Sequence, residues 1–200
     1  MNILFVCTGN TCRSPMAEHL LKHRVAHVDV QSAGIYAIDN QHANEYAEQV
    51  MEEKGIQMNH RSQSVTEDLL RWADLVLTMT AQHKHSLMIE FPHYQEKYFT
   101  LKEYVSPADQ SILEELTKAY KDLEKKRTSF IQKYEQKYSV NKLNERILDT
   151  FKDEIKHIQD LEKNIVDSNI ADPFGGNLET YRQTLHELDK YITKLIKKIE

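Results

Sequence analysis

The stretch VCTGNTCRSPMAEHLL, Val6 to Leu21, constrains this chain more than any other. It follows the apolar run Ile3-Leu4-Phe5, and Ile3–Val6 reads as a short buried strand, β-branched at its ends. From Ser14 to about Val25 the pattern turns helical, with Met16, Ala17, Leu20, Leu21 and Val25 on one side. Ser14 suits the N-cap, and Pro15 suits a first turn in which a missing N–H costs nothing. A strand that passes through a tight loop into a helix N-terminus is a building unit of α/β sheets. It is also an anion site, because successive backbone N–H groups converge there and the helix dipole adds to them.

The remaining sequence supplies the other units of such a sheet. VDVQSAG, Val28 to Gly34, is a second strand ending in a glycine turn, and Ala43–Lys54 a helix closed by Gly55. Thr66–Trp72 is a short helix, DLVLTM (Asp74–Met79) the clearest internal strand, Ala81–Glu90 a helix, and Tyr98–Leu101 a fourth strand. Leu178–Ile199 is a long amphipathic helix. Alternating strands and helices imply a doubly wound, four-stranded parallel sheet with helices on both faces. Ligands of such sheets bind beyond the carboxyl ends of the strands, where Cys7 falls.

Between Ala108 and Ser168 there is no Gly and no Pro, and Lys and Glu dominate. One apolar series runs Ile112, Leu116, Ala119/Tyr120, Leu123, Phe130/Ile131, Tyr134 and Tyr138. A second runs Leu143, Ile147, Phe151, Ile155, Ile158, Leu161 and Ile165, and Ser139–Asn141 lies between them. The expectation is an inserted α-helical hairpin over 107–168 in a domain made of 1–106 and 169–200, with arms of roughly 35–40 Å packed on each other. Its position just before a turn at ADPFGG places it at the rim of a site, as a docking arm, a dimerisation element or a lid. It is therefore a candidate for a protein partner or self-association.

A net charge of −5 argues against gripping nucleic acid or an anionic membrane by bulk electrostatics. No stretch approaches the roughly 20 apolar residues of a membrane span, and MNILFV does not read as a signal peptide. Two cysteines without a wider framework point to a reducing, cytoplasmic setting.

Those cysteines, Cys7 and Cys12, admit three readings: a metal clip, a redox pair, or a nucleophile wrapped around an anion. Zinc wants four ligands, and neither a second cysteine pair nor an ordered His spacing completes a set. His83 and His85 stand at i and i+2 on a helix and face different ways. No metal and no cofactor is expected. In the nucleophile reading Gly9 permits unusual backbone angles, Asn10 tolerates the left-handed region, and Arg13 adds a fork that fits phosphate. Cys7 sits at the strand end facing the bound group, where that field favours its thiolate, and Ser14 offers a hydroxyl to it. Cys12 is either a small buried loop residue or a partner that captures an oxidised Cys7 as a disulfide.

Cys7-x5-Arg13-Ser14 at the end of the first strand resembles the phosphate-binding loop of the low-molecular-weight protein-tyrosine-phosphatase family. SAGIYA (Ser32–Ala37), ADLVLTMT (Ala73–Thr80) and ADPFGG (Ala171–Gly176) are similar to that family's segments in the same order. The resemblance implies that Cys7 attacks phosphorus and forms a phospho-cysteine, and that Arg13 and the loop Thr8, Gly9, Asn10, Thr11, Cys12 and Ser14 hold the phosphate. Asp172 would protonate the leaving group and then activate water. Pro173 would stiffen that loop while Gly175 and Gly176 let it turn, and Tyr36 and Phe174 would wall the pocket. Thr11 with DPFGG resembles the bacterial protein-arginine-phosphatase branch. The implied activity is removal of phosphate from phospho-arginine in proteins, with phospho-tyrosine as the alternative and a non-catalytic scaffold as a further one.

Overall fold

The apolar run near the N-terminus forms strand β1, Asn2–Cys7, in the computed structural model, which describes residues 1–164 and 168–200. In chain order there follow helix α1 (Arg13–Arg24), β2 (Asp29–Gly34), α2 (Glu45–Glu53), α3 (Glu67–Trp72), β3 (Leu75–Thr78) and α4 (Ala81–Glu90). A 3₁₀ turn at Pro92–Lys97 leads into β4 (Tyr98–Thr100) and α5 (Leu101–Val105). Then come α6 (Pro107–Tyr134), α7 (Val140–Thr150), α8 (Lys152–Asn164) and α9 (Leu178–Ile199). The chain divides into two compact units, Met1–Val105 with Ser168–Glu200, and Ser106–Asp167.

In the first unit the sheet order is β2-β1-β3-β4, every pairing is parallel, and Ile3 stands opposite both Val30 and Leu75. The alternation of β1 sends Ile3, Phe5 and Cys7 to one face, with Met16, Leu20 and Leu21 of α1 and Leu185, Leu188 and Ile192 of α9. Leu4 and Val6 turn to the other face, with Leu70 of α3 and Leu87 of α4. Ile3, Leu4, Phe5 and Val6 are all fully buried, each contributing about 1.5–3 kcal/mol of transfer free energy. The expected doubly wound sheet is what forms, and its first strand is the central spine that carries Cys7.

Local chemistry sets the helix starts. Asn44, Thr66, Thr80 and Asn177 cap α2, α3, α4 and α9 by accepting from the second or third helical N–H. Helix α1 departs from expectation. It begins at Arg13, Cys12 is its N-cap without a side-chain bond, and Ser14 is already inside the first turn. The Ser14 hydroxyl is spent on the Cys7 sulfur instead.

In the second unit α6 supplies one arm, about 42 Å long for its 28 residues. The other arm is not one helix, because α7 ends at Phe151, whose ψ of 23° breaks the ladder before α8 starts. Leu143, Ile147 and Phe151 bury themselves against Leu123, Phe130, Ile131 and Tyr134, so the stripe does pack arm on arm. Phe130 and Phe151 meet edge to face with centroids 5.7 Å apart, which puts the break where a large ring must turn inward. Ile165 of the expected series lies outside the described residues. Among the described residues no helix is long and apolar enough to cross a membrane.

Candidate active site

Strand β1 delivers Cys7, 3% exposed, to the edge of a cavity of about 210 Å³. Thr8, Gly9, Thr11, Cys12 and Arg13 line it from the loop into α1, and Asp172 and Phe174 line it from the segment before α9. A larger concavity of about 480 Å³ lies on the helical unit around Phe130 and Tyr134, but it has neither a thiol nor a carboxylate on its walls. Chemistry, not size, selects the smaller one.

The loop is held by its carbonyl groups. Those of Cys7 and Thr8 accept from the N–H groups of Ile35 and Tyr36 at 3.0 and 2.9 Å, and that of Thr11 from Asn44 N–H at 2.9 Å. The Asn10 carbonyl accepts from His60 Nε2 at 2.8 Å. Among the described residues no backbone N–H of 8–13 donates to a protein acceptor, so these donors are left to an anion.

Asn10 is the keystone. It takes the left-handed conformation, φ 54°, and is fully buried. Its Nδ2 donates to Ser14 Oγ at 2.9 Å and Ser32 Oγ at 2.8 Å, and its Oδ1 accepts from Gln63 N–H at 2.9 Å. Ser14 Oγ accepts from Asn10 and lies 3.0 Å from the Cys7 sulfur and 3.4 Å from the Ala33 carbonyl, the two groups its own hydrogen can reach. Gly9, expected to take the unusual angles, has no left-handed φ, and a methyl there would meet only Thr11 Oγ1 at 3.7 Å. Gly34 is the glycine the loop needs, since a Cβ on it would lie 2.6 Å from the Thr8 carbonyl oxygen. Asn10 and Ser14 themselves do not line the cavity; they support it from behind.

Arg13 is 4% exposed and reaches across to the second loop. Its guanidinium donates to Asp172 Oδ2 at 2.7 Å and to the Ile170 carbonyl at 3.2 Å. The half-exposed Asp172 also accepts from Phe174 N–H at 3.2 Å, and Gly175 turns the segment with φ 78°. Clamp and carboxylate, 159 residues apart, are thus paired before any anion arrives. Tyr36, expected as a pocket wall, does not line the cavity. Its backbone is bound to the loop while its side chain is 74% exposed.

The family of low molecular weight phosphotyrosine protein phosphatases matches residues 2–139. The chain belongs to that family. A protein-arginine-phosphatase of Bacillus subtilis (strain 168) is 34% identical over 204 residues, covering 100% of this chain and 97% of that protein. The low molecular weight protein-tyrosine-phosphatase PtpB of Staphylococcus aureus is 44% identical over 112 residues, 56% of this chain and 79% of its own. The solved YwlE arginine phosphatase from Geobacillus stearothermophilus superposes with a TM-score of 0.68 at 33% identity, covering 99% of this chain and 92% of that one. As a member of the low molecular weight family, the chain is a cysteine-dependent protein phosphatase.

Two contacts of this phosphatase were not legible in its motifs. His83, set aside in the sequence only as a metal ligand paired with His85, is buried and bridges Thr8 Oγ1 at 2.8 Å and Thr80 Oγ1 at 2.9 Å. Burial, helped by the Arg13 charge and opposed by Asp172, pushes its pKa down to about 4, so it props the loop as a neutral ring. Cys12 Sγ lies 3.3 Å from the Tyr181 hydroxyl and 3.6 Å from Thr11 Oγ1. Burial raises the Cys12 pKa, which keeps it a thiol. Both cysteines are free.

Proposed function

We propose that the chain removes phosphate from phospho-arginine in proteins. Cys7 attacks phosphorus, and the S–P bond forms as the P–N bond breaks. Arg13 and the loop N–H groups hold the phosphoryl oxygens, and Asp172 gives its proton to the departing nitrogen. In the second step Asp172 takes a proton from water, whose oxygen attacks phosphorus as the S–P bond breaks and Cys7 is regenerated.

The observation that carries the substrate is Thr11, whose small branched side chain lines the cavity one residue from Cys12 and leaves room beside phosphorus. Asp172 adds support, since its carboxylate already accepts a guanidinium hydrogen bond from Arg13. The Bacillus subtilis relative named a protein-arginine-phosphatase aligns over the whole chain. Phospho-tyrosine is the second reading, favoured by the Phe174 ring on the cavity wall and by the higher identity to PtpB over the shared part.

The test is kcat/KM on matched phospho-arginine and phospho-tyrosine peptides, for the wild type and Thr11→Ile. Wild type is expected to prefer phospho-arginine, and the added bulk to move the ratio by about tenfold toward the aryl ester. An unchanged ratio removes Thr11 from specificity, and a wild-type preference for the aryl ester selects the second reading. Cys7→Ser is expected to lose turnover altogether.

The helical unit is proposed as a separable 107–168 insertion that contacts phosphorylated protein substrates or partners. A chain lacking it should keep its turnover of a small aryl phosphate and change its turnover of a phosphoprotein; loss of both rejects separability. The free thiols of Cys7 and Cys12 support a cytoplasmic setting, which fractionation of the source cells would check.

A further inference from the structure

Beside the phosphate loop, and not on the cavity wall, three side chains with no part in the proposed reaction converge. Glu18 and His19 project from α1, and His60 from the segment between α2 and α3. Glu18 and His60 are buried, and His19 is half-buried. One donor atom of each lies within 4.8 Å of the other two. His60 Nδ1 stands 3.9 Å from Glu18 Oε2, and the two imidazoles meet edge to face with centroids 6.1 Å apart.

The protons on these rings are assigned by their partners. His19 Nδ1 lies 2.9 Å from the Pro15 carbonyl and His60 Nε2 lies 2.8 Å from the Asn10 carbonyl. A carbonyl only accepts, so those nitrogens carry the N–H, and the neutral rings present lone pairs at His19 Nε2 and His60 Nδ1. Two imidazoles and a carboxylate then lie together, with the carboxylate oxygens accepting from Lys22 Nζ and Ser32 Oγ and neither ring donating to it. Histidines whose second nitrogen donates to a backbone carbonyl are oriented as metal ligands are.

We propose that Glu18, His19 and His60 form a site for a first-row divalent cation, best fitted by Zn²⁺, that acts on the phosphate loop from outside the cavity. Two imidazoles and one carboxylate are a zinc set with a fourth position for water, and a poor one for Mg²⁺, which prefers oxygen ligands throughout. Lys22 Nζ, 2.5 Å from Glu18 Oε1, would have to leave. Its side chain is 47% exposed, so it can turn into water at little cost.

The coupling is short. Glu18 Oε2 accepts from Ser32 Oγ at 2.5 Å, Ser32 Oγ accepts from Asn10 Nδ2, and His60 holds the Asn10 carbonyl. Zinc bonds of about 2.0–2.2 Å set tetrahedral ligand atoms about 3.3 Å apart, closer than the present 3.9 Å gap, so an ion draws His60 toward Glu18 and pulls on Asn10.

The experiment titrates ZnCl₂ calorimetrically into the full chain carrying Cys7→Ser, which takes the active-site thiolate out of the competition, with and without His19→Ala. His19 is half-buried, and its Nδ1 meets a carbonyl of its own helix, so His19→Ala on the Cys7 chain should keep its melting temperature and its turnover in chelator. One Zn²⁺ per chain is expected, weakened about tenfold or more by His19→Ala, with Mg²⁺ giving no heat. Co²⁺ should give the intense visible bands of a four-coordinate site, lost in the variant. On the Cys7 chain, Zn²⁺ should slow turnover with the same midpoint as binding, and His19→Ala should abolish that effect. Absent Zn²⁺ binding, or equal binding in both chains, overturns the site; binding that leaves turnover unchanged overturns its action on the loop.

Discussion

Two loops meet at the cavity, and they are built on opposite terms. The loop at 8–12 is tied outward by its carbonyl groups, with Asn10 fully enclosed behind it and Cys12 buried, while Thr8 faces outward. The loop at 171–176 lies open, with Asp172 half-exposed and Phe174 76% exposed. It is held chiefly by the Arg13 pair, a Gly176 N–H to Pro173 carbonyl bond of 2.9 Å and an Ala171 N–H to Glu187 bond of 3.1 Å. The contrast matches the tasks. A cradle for charge gains by being preorganised, because donors already in place need no reorganisation. A group that gives a proton and then takes one must reach two different oxygen or nitrogen atoms in turn, so rigidity would hinder it.

The sharpest way to break that contrast is Asp172→Asn. It should cost about 10²–10⁴ in kcat on a poor leaving group and much less on an activated aryl phosphate, while stability stays within about 1 kcal/mol. Since Arg13 would no longer face a carboxylate, inorganic phosphate should bind the variant at least as tightly as the wild type; weaker binding would show that the pair holds Arg13 for the anion.

Asn10→Ala is the opposite case, expected to strike stability first. It removes three side-chain bonds at about 1 kcal/mol each and leaves at φ 54° a residue without the polar side chain that lets Asn adopt it, so about 3 kcal/mol or more should be lost in denaturant unfolding. A loss under about 1 kcal/mol would mean that the loop is not locked through this residue.

The smallest effect belongs to His83. Its folded pKa of about 4 lies below its unfolded value of about 6.5, so between them the unfolded chain binds the extra proton. Its contribution is intact above pH 6.5 and is lost as pH falls toward 4. His83→Asn should therefore flatten the fall in stability across that window by up to one proton per molecule. An identical slope in both chains would mean that His83 is not held neutral.

Strand positions, helix faces and the Cys7–Arg13 loop were legible because each depends on short-range pattern: alternation of two, a period near 3.6, and residues that suit a turn. The pairing of Arg13 with Asp172 was half legible, both residues being recognisable while their contact was not, since nothing local links positions 159 apart. The contact of His83 was not legible for the same reason: its spacing from His85 argues against a shared ligand and says nothing of Thr8, 75 residues away in the loop after β1. The break at Phe151 left the helical period of the second arm intact, so periodicity alone ran straight through it. Tyr36 was placed in the pocket by the family resemblance, and its backbone does bind the loop, but its side chain is largely exposed.

The pairing of Arg13 with Asp172 also has a consequence for synthesis. The ribosome makes Asp172, Ile170 and Tyr181 only after the whole helical unit, about 165 residues behind Cys7. At about 5–20 residues per second, the thiol and its clamp wait on the order of 10–30 s for the proton donor and for the helix that covers Cys12. During that interval the nascent chain holds a nucleophile that has no acid beside it. A chain released at residue 164 lacks both Asp172 and the core residues Leu185, Leu188 and Ile192 of α9, so it should show no turnover of a poor leaving group.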